Sequence, residues 1–468
     1  MKRKKAKVLL IKPFGVADEI IPPFSLGYLA AVSRNKAECH IIDCIKEGYN
    51  LERLRTLFLT SKYDVVGIGA YSNNISASRE IFRLVKQLDN NVCTILGGPH
   101  VTVLPEETFE YFGQSLDYGF CGESEIGFPE FISIVSDGGG DIPESELADV
   151  SGLIYRNNGR IQVNPCKIVS NLDDIPFVAW DILRPETYPM SPHGAIFKRF
   201  PLAPMIATRG CPFQCAYCSA SILSGKKIRR RSVDNIIEEI QILHRDYGIQ
   251  EIHFEDDNFT ASKSFVIDFC ERLMSSGLKI SWAFPNGIRL DTLDGDLLKM
   301  MKRAGCYSLC FGIESGSQRM LDRMKKKITL KKIKEKVVLA KELGFSLGGF
   351  FILGFPSETE EEIEETIRFA KELPLDRAAF FYFQYLPGTE EYNRLIQERN
   401  VRLDWNLISL HNSRNLSDIP EKTLRRLRRK ALLTFYLRPG AIWAMFRGVQ
   451  SWGHLKYIVK RSFRWLRV

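Results

Sequence analysis

The chain has 468 residues, of which 45% are hydrophobic and 26% charged, and its formal net charge at pH 7 is +9. This composition excludes an intrinsically disordered chain and allows two or three globular domains. Thirteen Lys or Arg and one acidic residue fall within residues 421–468, so the positive charge is local and a nucleic-acid-binding surface is disfavoured.

Two further features of the sequence predict where the protein works. No apolar run approaches the roughly 18 residues of a membrane-spanning helix, and the basic start Met1–Lys5 is followed only by the short apolar run Val8–Ile11. Eleven cysteines in a chain of this length are too sparse for a disulfide framework. We therefore expect no signal peptide and a cytoplasmic location, with most cysteines present as buried thiols.

Residues 1–135 are predicted to form one α/β domain, because short β-branched runs alternate there with amphipathic stretches. This pattern indicates a doubly wound, Rossmann-like parallel sheet. The predicted strands are Lys7–Lys12, Cys39–Asp43, Val65–Ala70, Thr94–Gly97 and Tyr118–Gly122. The predicted helices are Leu26–Ser33, Leu51–Thr60, Ser76–Leu88 and Pro105–Tyr111. Such a sheet binds ligands at the carboxyl ends of its strands, where Ser72, Gly97 and Gly98 are candidate contacts.

Three further segments are predicted after this domain. Residues 136–200 form a connector with a β-hairpin around Asn157–Gly159. Residues 201–400 contain six strands separated by helices, which indicates a partial (βα)6 TIM-like barrel. Its strands are predicted near Met205 and at Glu251–Glu255, Ile280–Phe284, Ser308–Ile313, Ser346–Leu353 and Ala379–Tyr385. Residues 401–468 are predicted to form a basic, aromatic helical extension.

Cys211, Cys215 and Cys218 form the most informative motif, with the spacing CxxxCxxC directly after the first predicted barrel strand. An iron–sulfur cube is normally held by four thiolates, so three clustered thiolates leave one iron open to an outside ligand. The alternatives are a structural zinc site or three incidental thiols. Zinc usually takes four ligands with CxxC pairs, and the spacing therefore favours the cluster.

With the aromatic Tyr217 before the third cysteine, this motif resembles the signature of the radical S-adenosylmethionine (SAM) superfamily. The resemblance implies that the catalytic cysteines Cys211, Cys215 and Cys218 hold a [4Fe-4S] cluster whose fourth iron binds the amino and carboxylate groups of SAM. One electron, from a low-potential donor such as a flavodoxin or ferredoxin, would cleave SAM to methionine and a 5′-deoxyadenosyl radical.

The resemblance also implies SAM contacts after the second and third barrel strands. Glu255, Asp256 and Asp257 lie where the family binds the SAM ammonium group, and a solvated acidic turn is the alternative. Arg289 would meet a carboxylate bidentately, with a surface salt bridge as the alternative.

Two later segments complete the SAM site that the resemblance implies. Glu314 and Ser315 follow the fourth strand, where an acceptor and a hydroxyl suit the ribose hydroxyls. Gly354 lies in a run that resembles the fifth-strand motif flanking adenine. Glu358 and Thr359 are predicted to cap the helix that follows.

The first domain resembles the cobalamin-binding branch of the same superfamily. The resemblance rests on Pro22–Ala30, Asp64–Gly69, Leu96–His100 and Cys121–Glu125. No histidine lies between Lys12 and Gly27, so the DxHxxG motif is absent and cobalamin would bind without that axial ligand. Gly97 and Gly98 would let the backbone approach the nucleotide tail, whereas His100 is expected to hydrogen-bond to backbone. A degenerate domain without ligand is the alternative.

The segment 421–468 combines its basic residues with Trp443, Trp452 and Trp465. Basic and aromatic side chains on separate helix faces are typical of a helix lying on an anionic membrane. For this segment the prediction is peripheral contact with the inner face of the membrane. The alternatives are a helical layer packed on the barrel, or binding of an acidic substrate or protein partner. RNA binding is disfavoured because residues 1–200 lack the second cysteine triplet of the RNA-methylthiolating relatives.

The resemblance as a whole implies a cobalamin-dependent radical SAM enzyme that methylates an unactivated carbon of a small-molecule or lipid biosynthetic intermediate. An oxidative cyclase or ring-rearranging enzyme on the same scaffold is the first alternative. A non-catalytic cobalamin or redox sensor is the second, and the SAM-like motifs disfavour it because a sensor needs no ribose or adenine contacts.

Overall fold

The computed structural model describes residues 5–15, 20–137, 142–190, 197–399, 405, 417–449, 451–452 and 454–456. The chain divides into two compact units. The first consists of Met1–Arg184, Ile222–Ser224 and Arg402–Asn406, and the second of Pro185–Ser221, Gly225–Val401 and Leu407–Val468.

The first unit is built on a seven-stranded sheet. Its strands are β1 (Ala6–Lys12), β2 (Ala37–Asp43), β3 (Val65–Gly69), β4 (Cys93–Gly97), β5 (Tyr118–Phe120), β6 (Leu153–Asn157) and β7 (Arg160–Val163). Their order is β2-β1-β3-β4-β5-β6-β7, parallel from β2 to β5 and antiparallel from β5 to β7. The helices are α1 (Phe24–Ser33), α2 (Cys44–Glu47), α3 (Leu51–Thr60), α4 (Ile75–Leu88), α5 (Pro99–Val103), α6 (Pro105–Phe112), α7 (Gly127–Asp137), α8 (Glu144–Leu147) and α9 (Trp180–Leu183).

The first five strands confirm the predicted doubly wound sheet. Val8 and Leu10 of β1 belong to one core, and Leu9 and Ile11 to another. Because successive side chains of a strand point to opposite faces, both faces of the sheet are buried, as a helix-covered parallel sheet requires. The hairpin that we expected in a separate connector instead extends this sheet, since β6 pairs with β5.

The second unit is built on six parallel strands, which confirm the predicted partial barrel. The six strands are β8 (Leu202–Met205), β11 (Glu251–Phe254), β12 (Ser281–Ile288), β13 (Cys306–Glu314), β14 (Ser346–Leu353) and β15 (Arg377–Tyr382). Two short strands, β9 (Thr208–Arg209) and β10 (Arg229–Arg230), lie outside this sheet. The order is β15-β14-β13-β12-β11-β8, and β9 and β10 form a separate antiparallel pair. From Pro185 onward the helices are α10 (Ala220–Leu223), α11 (Val233–Tyr247), α12 (Lys263–Ser275), α13 (Gly295–Arg303), α14 (Gln318–Arg323), α15 (Leu330–Glu342), α16 (Glu360–Glu372), α17 (Glu390–Arg399), α18 (Glu421–Tyr436) and α19 (Pro439–Arg447).

An aromatic core lies between β11, β12 and the neighbouring helices. Phe254, Phe259, Trp282 and Phe284 pack ring on ring, with centroid distances between 4.6 and 6.3 Å. The cysteine loop follows β8, and most of the predicted SAM contacts end or follow β11 to β14. Since parallel strands end at the same edge of a sheet, the topology gathers these segments at one edge.

Helix α18 packs on the edge strand β15 through Arg428 and Tyr436. Arg428 is 2% exposed, and its Nε donates to the carbonyl oxygen of Phe380 at 2.9 Å. The Tyr436 hydroxyl donates to the carbonyl oxygen of Ala378 at 2.8 Å. These contacts show that one face of α18 packs on the second sheet, as the packing alternative expects.

Two basic side chains of α18 pair with the acidic helix α16, Arg426 with Glu360 and Lys430 with Glu364. In the part of the chain that the structure describes, no helix is long and apolar enough to cross a bilayer. Contact with a membrane surface stays a prediction, and Trp465 lies outside the described residues.

Candidate active site

Asp256 holds the backbone at the start of the cysteine loop. Its carboxylate accepts from the N–H of Ala207 at 3.2 Å and of Thr208 at 2.5 Å. Burial raises the pKa of Asp256 to about 7, although these N–H groups lower it. We predicted Asp256 as a SAM contact; the side chain is 6% exposed and bound to backbone, so here it is a positioning residue.

The turn before the first cysteine requires a glycine. Gly210 has a φ of 104°, and a Cβ at this position would lie 2.4 Å from the carbonyl oxygen of Lys227. Cys211 then donates its backbone N–H to the carbonyl oxygen of Gly225 at 3.0 Å. The loop therefore closes on the segment before β10 with no space for a side chain.

The three thiols of the loop lie close enough to repel one another as thiolates. Burial raises the pKa of Cys218 to about 11 and that of Cys211 above its usual value, and negative charge on Cys215 and Asp257 raises both further. Four anionic groups in one half-buried place need cations, which the irons of a cluster supply. Among the described residues, no three His, Cys, Asp or Glu side chains are arranged to hold a single metal ion. A cube is bound differently, with a separate thiolate for each liganded iron, and the donor set fits it.

Arg289 is turned towards the cysteine loop. Its Nη1 lies 3.8 Å from Cys215 Sγ, and its guanidinium carbon lies 3.5 Å from the centroid of the Phe213 ring. Nε and Nη2 each bind one carboxylate oxygen of Asp291 at 2.9 Å. At 9% exposure this is a buried ion pair, not the surface salt bridge of our alternative. Because Asp291 occupies the guanidinium fork, the bidentate contact with SAM stays a prediction.

Glu314 joins the cysteine loop to the end of β13. The Tyr217 hydroxyl donates to Glu314 Oε1 at 2.9 Å, and Lys326 Nζ donates to the same oxygen at 2.8 Å. Glu314 has a φ of 70°, an uncommon conformation that costs of order 1 kcal/mol outside glycine. Within the described residues its Oε2 has no hydrogen-bond partner, so this oxygen remains available to a ribose hydroxyl.

Two polar groups after β11 also remain available to a ligand. Asp257 is exposed, and its charge acts on the thiols of the cysteine loop. Asn258 is 1% exposed, and neither its Nδ2 nor its Oδ1 has a partner among the residues described. An unpaired buried amide costs about 1 to 3 kcal/mol, so a polar ligand such as SAM fits this place. One oxygen of Glu255 accepts from Asn286 Nδ2.

Two other predicted SAM contacts face protein. Ser315 is fully buried, and its hydroxyl lies 3.2 Å from Thr366 Oγ1. Gly354 donates its N–H to Glu358 Oε2 at 2.6 Å, and a Cβ on Gly354 would lie 2.8 Å from a methyl group of Leu424. Both residues therefore support the packing around the site. Their contacts with ribose and adenine stay predictions.

The predicted cobalamin contacts lie at the ends of β3 and β4 in the first unit. No atom of the described residues comes within 4 Å of a Cβ built on Gly97, so they leave the backbone there open to a ligand. At Gly98 the φ is 98°, and a Cβ would lie 2.7 Å from the carbonyl oxygen of Ala70. The open strand end and the glycine turn fit the close approach of a large cofactor.

His100 binds a side chain where we expected a bond to backbone. Its Nδ1 lies 2.9 Å from Ser72 Oγ, and its ring packs edge-on against Trp405 at 4.7 Å. Burial lowers the pKa of His100 to about 4, so the imidazole is neutral near pH 7. His100 therefore orients Ser72, a predicted cobalamin contact.

Lys326 and Asn258 were not predicted from the sequence. Lys326 is the middle residue of a lysine run, which is typical of a solvated surface, yet it is 8% exposed. Lys325 and Lys327 both have a φ of 55°, and these two turns enclose it. For Asn258 the sequence does contain a signal, because this residue directly follows the predicted contacts Glu255, Asp256 and Asp257.

Comparison with known families locates both predicted domains. The model of the B12 binding domain matches residues 13–132, and that of the Radical SAM superfamily matches residues 205–370. An uncharacterized methyltransferase of Pyrococcus horikoshii is 35% identical over 475 residues, which cover 99% of this chain and 98% of the relative. A cytidylyl-2-hydroxyethylphosphonate methyltransferase of Streptomyces wedmorensis is 29% identical over 76% of this chain and 74% of its own.

Solved structures share the fold. The radical SAM methyltransferase TsrM of Kitasatospora setae, with cobalamin and a [4Fe-4S] cluster bound, has a TM-score of 0.69 at 18% identity, covering 89% of this chain and 82% of its own. The cobalamin-dependent radical enzyme OxsB has a TM-score of 0.64 at 20% identity, covering 85% and 56%.

The fold and the cysteine site define a radical SAM enzyme with an added cobalamin-binding domain. This chain belongs to the cobalamin-binding radical SAM family. Its cofactors are therefore a [4Fe-4S] cluster, SAM and cobalamin.

Proposed function

We propose that this protein methylates an unactivated carbon of a small-molecule or lipid biosynthetic intermediate. The observation that carries the proposal is the match to a B12 binding domain ahead of a radical SAM domain. The chain is also 35% identical, over 99% of its length, to a relative whose name is an uncharacterized methyltransferase. Radical SAM chemistry activates C–H bonds and cobalamin carries methyl groups, so the two domains together suit methylation at carbon.

In this proposal the described residues bind and orient SAM. Cys211, Cys215 and Cys218 hold the cluster, and Arg289, 3.8 Å from Cys215 Sγ, offsets the negative charge of the thiolates. Asp257 accepts from the SAM ammonium group. A low-potential flavodoxin or ferredoxin would supply the electron.

The free oxygen of Glu314 and the amide of Asn258 are assigned to the remaining polar groups of SAM. Glu314 Oε2 suits a ribose hydroxyl, because Tyr217 and Lys326 already occupy Oε1. Asn258 offers a donor and an acceptor, both unpaired among the described residues. A bound SAM molecule would remove the cost of burying this amide.

An oxidative cyclase is the second candidate. An anaerobic magnesium-protoporphyrin IX monomethyl ester cyclase of Rubrivivax gelatinosus is 27% identical over 353 residues, which cover 73% of this chain and 60% of the relative. This relative supports a cyclase as the alternative, because the same cluster and SAM contacts would serve methylation and oxidative cyclisation.

The product balance separates the two candidates. The anaerobically reconstituted protein would receive methyl-deuterated SAM, a titanium(III) reductant and small-molecule or lipid extracts. Methylation predicts equal yields of S-adenosylhomocysteine and 5′-deoxyadenosine, with the labelled methyl group in a product. Deoxyadenosine formed with substrate but without methyl transfer would refute it.

Two cysteine variants provide the controls. Cys215→Ala should form neither nucleoside product, because it removes a cluster ligand. Cys270→Ala should retain both products, since this buried thiol lies in the α12 core.

A further inference from the structure

The second unit exposes apolar side chains in one short segment of its C-terminal helices. Among the described residues, five of the twelve exposed large apolar side chains fall within residues 433–452. We name these five the C-terminal apolar surface: Leu433, Leu437, Ile442, Trp443 and Trp452, which are 44, 70, 40, 60 and 80% exposed. Single exposed apolar residues are normal, but a cluster indicates a binding surface.

The same helices already have a buried apolar face. Leu432, Phe435 and Ala441 are 5, 1 and 1% exposed, and they pack these helices on the rest of the unit. Leu433 of α18 and Leu437, the C-cap residue of this helix, are four positions apart and lie outside that buried face. The buried apolar face packs these helices on the rest of the unit. The C-terminal apolar surface is therefore a second apolar face, which this packing does not use.

The segment that carries this surface has charges of one sign, although Arg426 and Lys430 of α18 pair with carboxylates of α16. Residues 422–468 contain thirteen Lys or Arg and no Asp or Glu. Arg438 binds the backbone carbonyl oxygens of Lys371, Leu373 and Leu375 at 2.8 to 3.0 Å, and among the described residues no carboxylate forms an ion pair with it. Lys456 is exposed beyond α19. The surface is therefore apolar and bordered by cations.

We propose that the C-terminal apolar surface docks this protein onto an anionic lipid bilayer. Exposed tryptophans prefer the water–lipid boundary, and Lys and Arg attract anionic headgroups. A bilayer suits this surface better than an acidic protein, because two largely exposed tryptophans and three aliphatic side chains accompany the cations. The proposal does not depend on the reaction that the protein catalyses.

Vesicle co-sedimentation of the full-length protein tests the proposal. The protein should bind vesicles that contain phosphatidylglycerol, and bind phosphatidylcholine alone at least about tenfold more weakly. The double substitution Leu437→Ser with Trp452→Ser should weaken binding to the anionic vesicles about tenfold, because it removes apolar area that enters the interface.

Leu59→Ser is the matched control, because Leu59 is 68% exposed on α3 of the first unit. It should bind vesicles as the wild type does, and all three proteins should show the same thermal unfolding. The proposal would be overturned if the wild type bound neutral and anionic vesicles equally. It would also be overturned if the double variant bound anionic vesicles as tightly as the wild type. Capture of an acidic flavodoxin without any vesicle binding would also overturn it and replace the lipid by a protein partner.

Discussion

Lys326 Nζ lies 2.8 Å from Glu314 Oε1 and 3.2 Å from Tyr217 Oη. The backbone carbonyl oxygen of Lys326 also accepts from Arg289 Nη2 at 2.8 Å. One buried lysine therefore connects the cysteine loop with two predicted SAM-binding residues. It fixes Glu314 through one oxygen and leaves the other oxygen for a ligand.

Replacing Lys326 by Met should lower the free energy of unfolding by about 3 kcal/mol, because it leaves the Glu314 carboxylate buried without its cation. SAM binding should weaken as well, since Glu314 is no longer fixed. Urea unfolding and equilibrium dialysis measure the two effects. Lys327→Met is the control, because this neighbour is exposed. Equal stability and SAM affinity in the two variants would contradict the role of Lys326.

Replacing Gly210 by Ala should prevent cluster assembly, because the new Cβ would lie 2.4 Å from the carbonyl oxygen of Lys227. Gly225→Ala is the matched control: Gly225 also has a positive φ, 82°, but its Cβ meets no atom within 4 Å. The control should lose only about 1 kcal/mol of stability. Iron analysis after anaerobic reconstitution should find a cluster in Gly225→Ala and none in Gly210→Ala. The same iron content in both would refute the steric argument.

Glu358 should make the protein less stable as the pH rises. Burial raises the pKa of Glu358 from 4.5 to about 8, so between these values the folded protein keeps a proton that the unfolded chain has lost. Each pH unit in this window should cost at most about 1.4 kcal/mol. Glu358→Gln removes this titration. In urea unfolding from about pH 5 to about pH 8, the free energy of unfolding should therefore fall more steeply with pH in the wild type than in Glu358→Gln. The same pH dependence in both proteins would exclude the effect.

Replacing Gly97 by Ala should weaken cobalamin binding and leave the fold of the first unit intact. Within the described part of the chain, a Cβ at Gly97 meets no atom within 4 Å, so we expect it to obstruct a ligand at the end of β4 rather than the fold. Cobalamin uptake is followed by absorbance, and thermal unfolding of the cofactor-free protein is the control. Unchanged uptake would place the cofactor away from Gly97.

The strands and the cysteine loop could be predicted because their signals are local. The run Val8–Ile11 is apolar throughout because both faces of β1 are buried, and the CxxxCxxC spacing is visible directly in the sequence. Side-chain direction at the strand ends could not be predicted in this way. Glu314 and Ser315 are adjacent, yet Glu314 keeps a free oxygen and Ser315 is enclosed against Thr366.

Long-range contacts decided the remaining residues. Asp256 was predicted by its carboxylate, but its partners, the N–H groups of Ala207 and Thr208, lie 48 or 49 residues earlier in the chain. The partner of the buried Lys326, Glu314, lies 12 residues earlier in the chain. Neither pairing leaves a pattern in the sequence.

The contacts of α18 with β15 have a consequence for how this chain can be shortened. β15 is the edge strand of the second sheet, and Arg428 and Tyr436 cover its outward carbonyl oxygens at Phe380 and Ala378. An edge strand without such cover offers its backbone to the strand of another molecule. A chain ending before Glu421 would therefore be prone to self-association, and its loss of vesicle binding would say nothing about lipids.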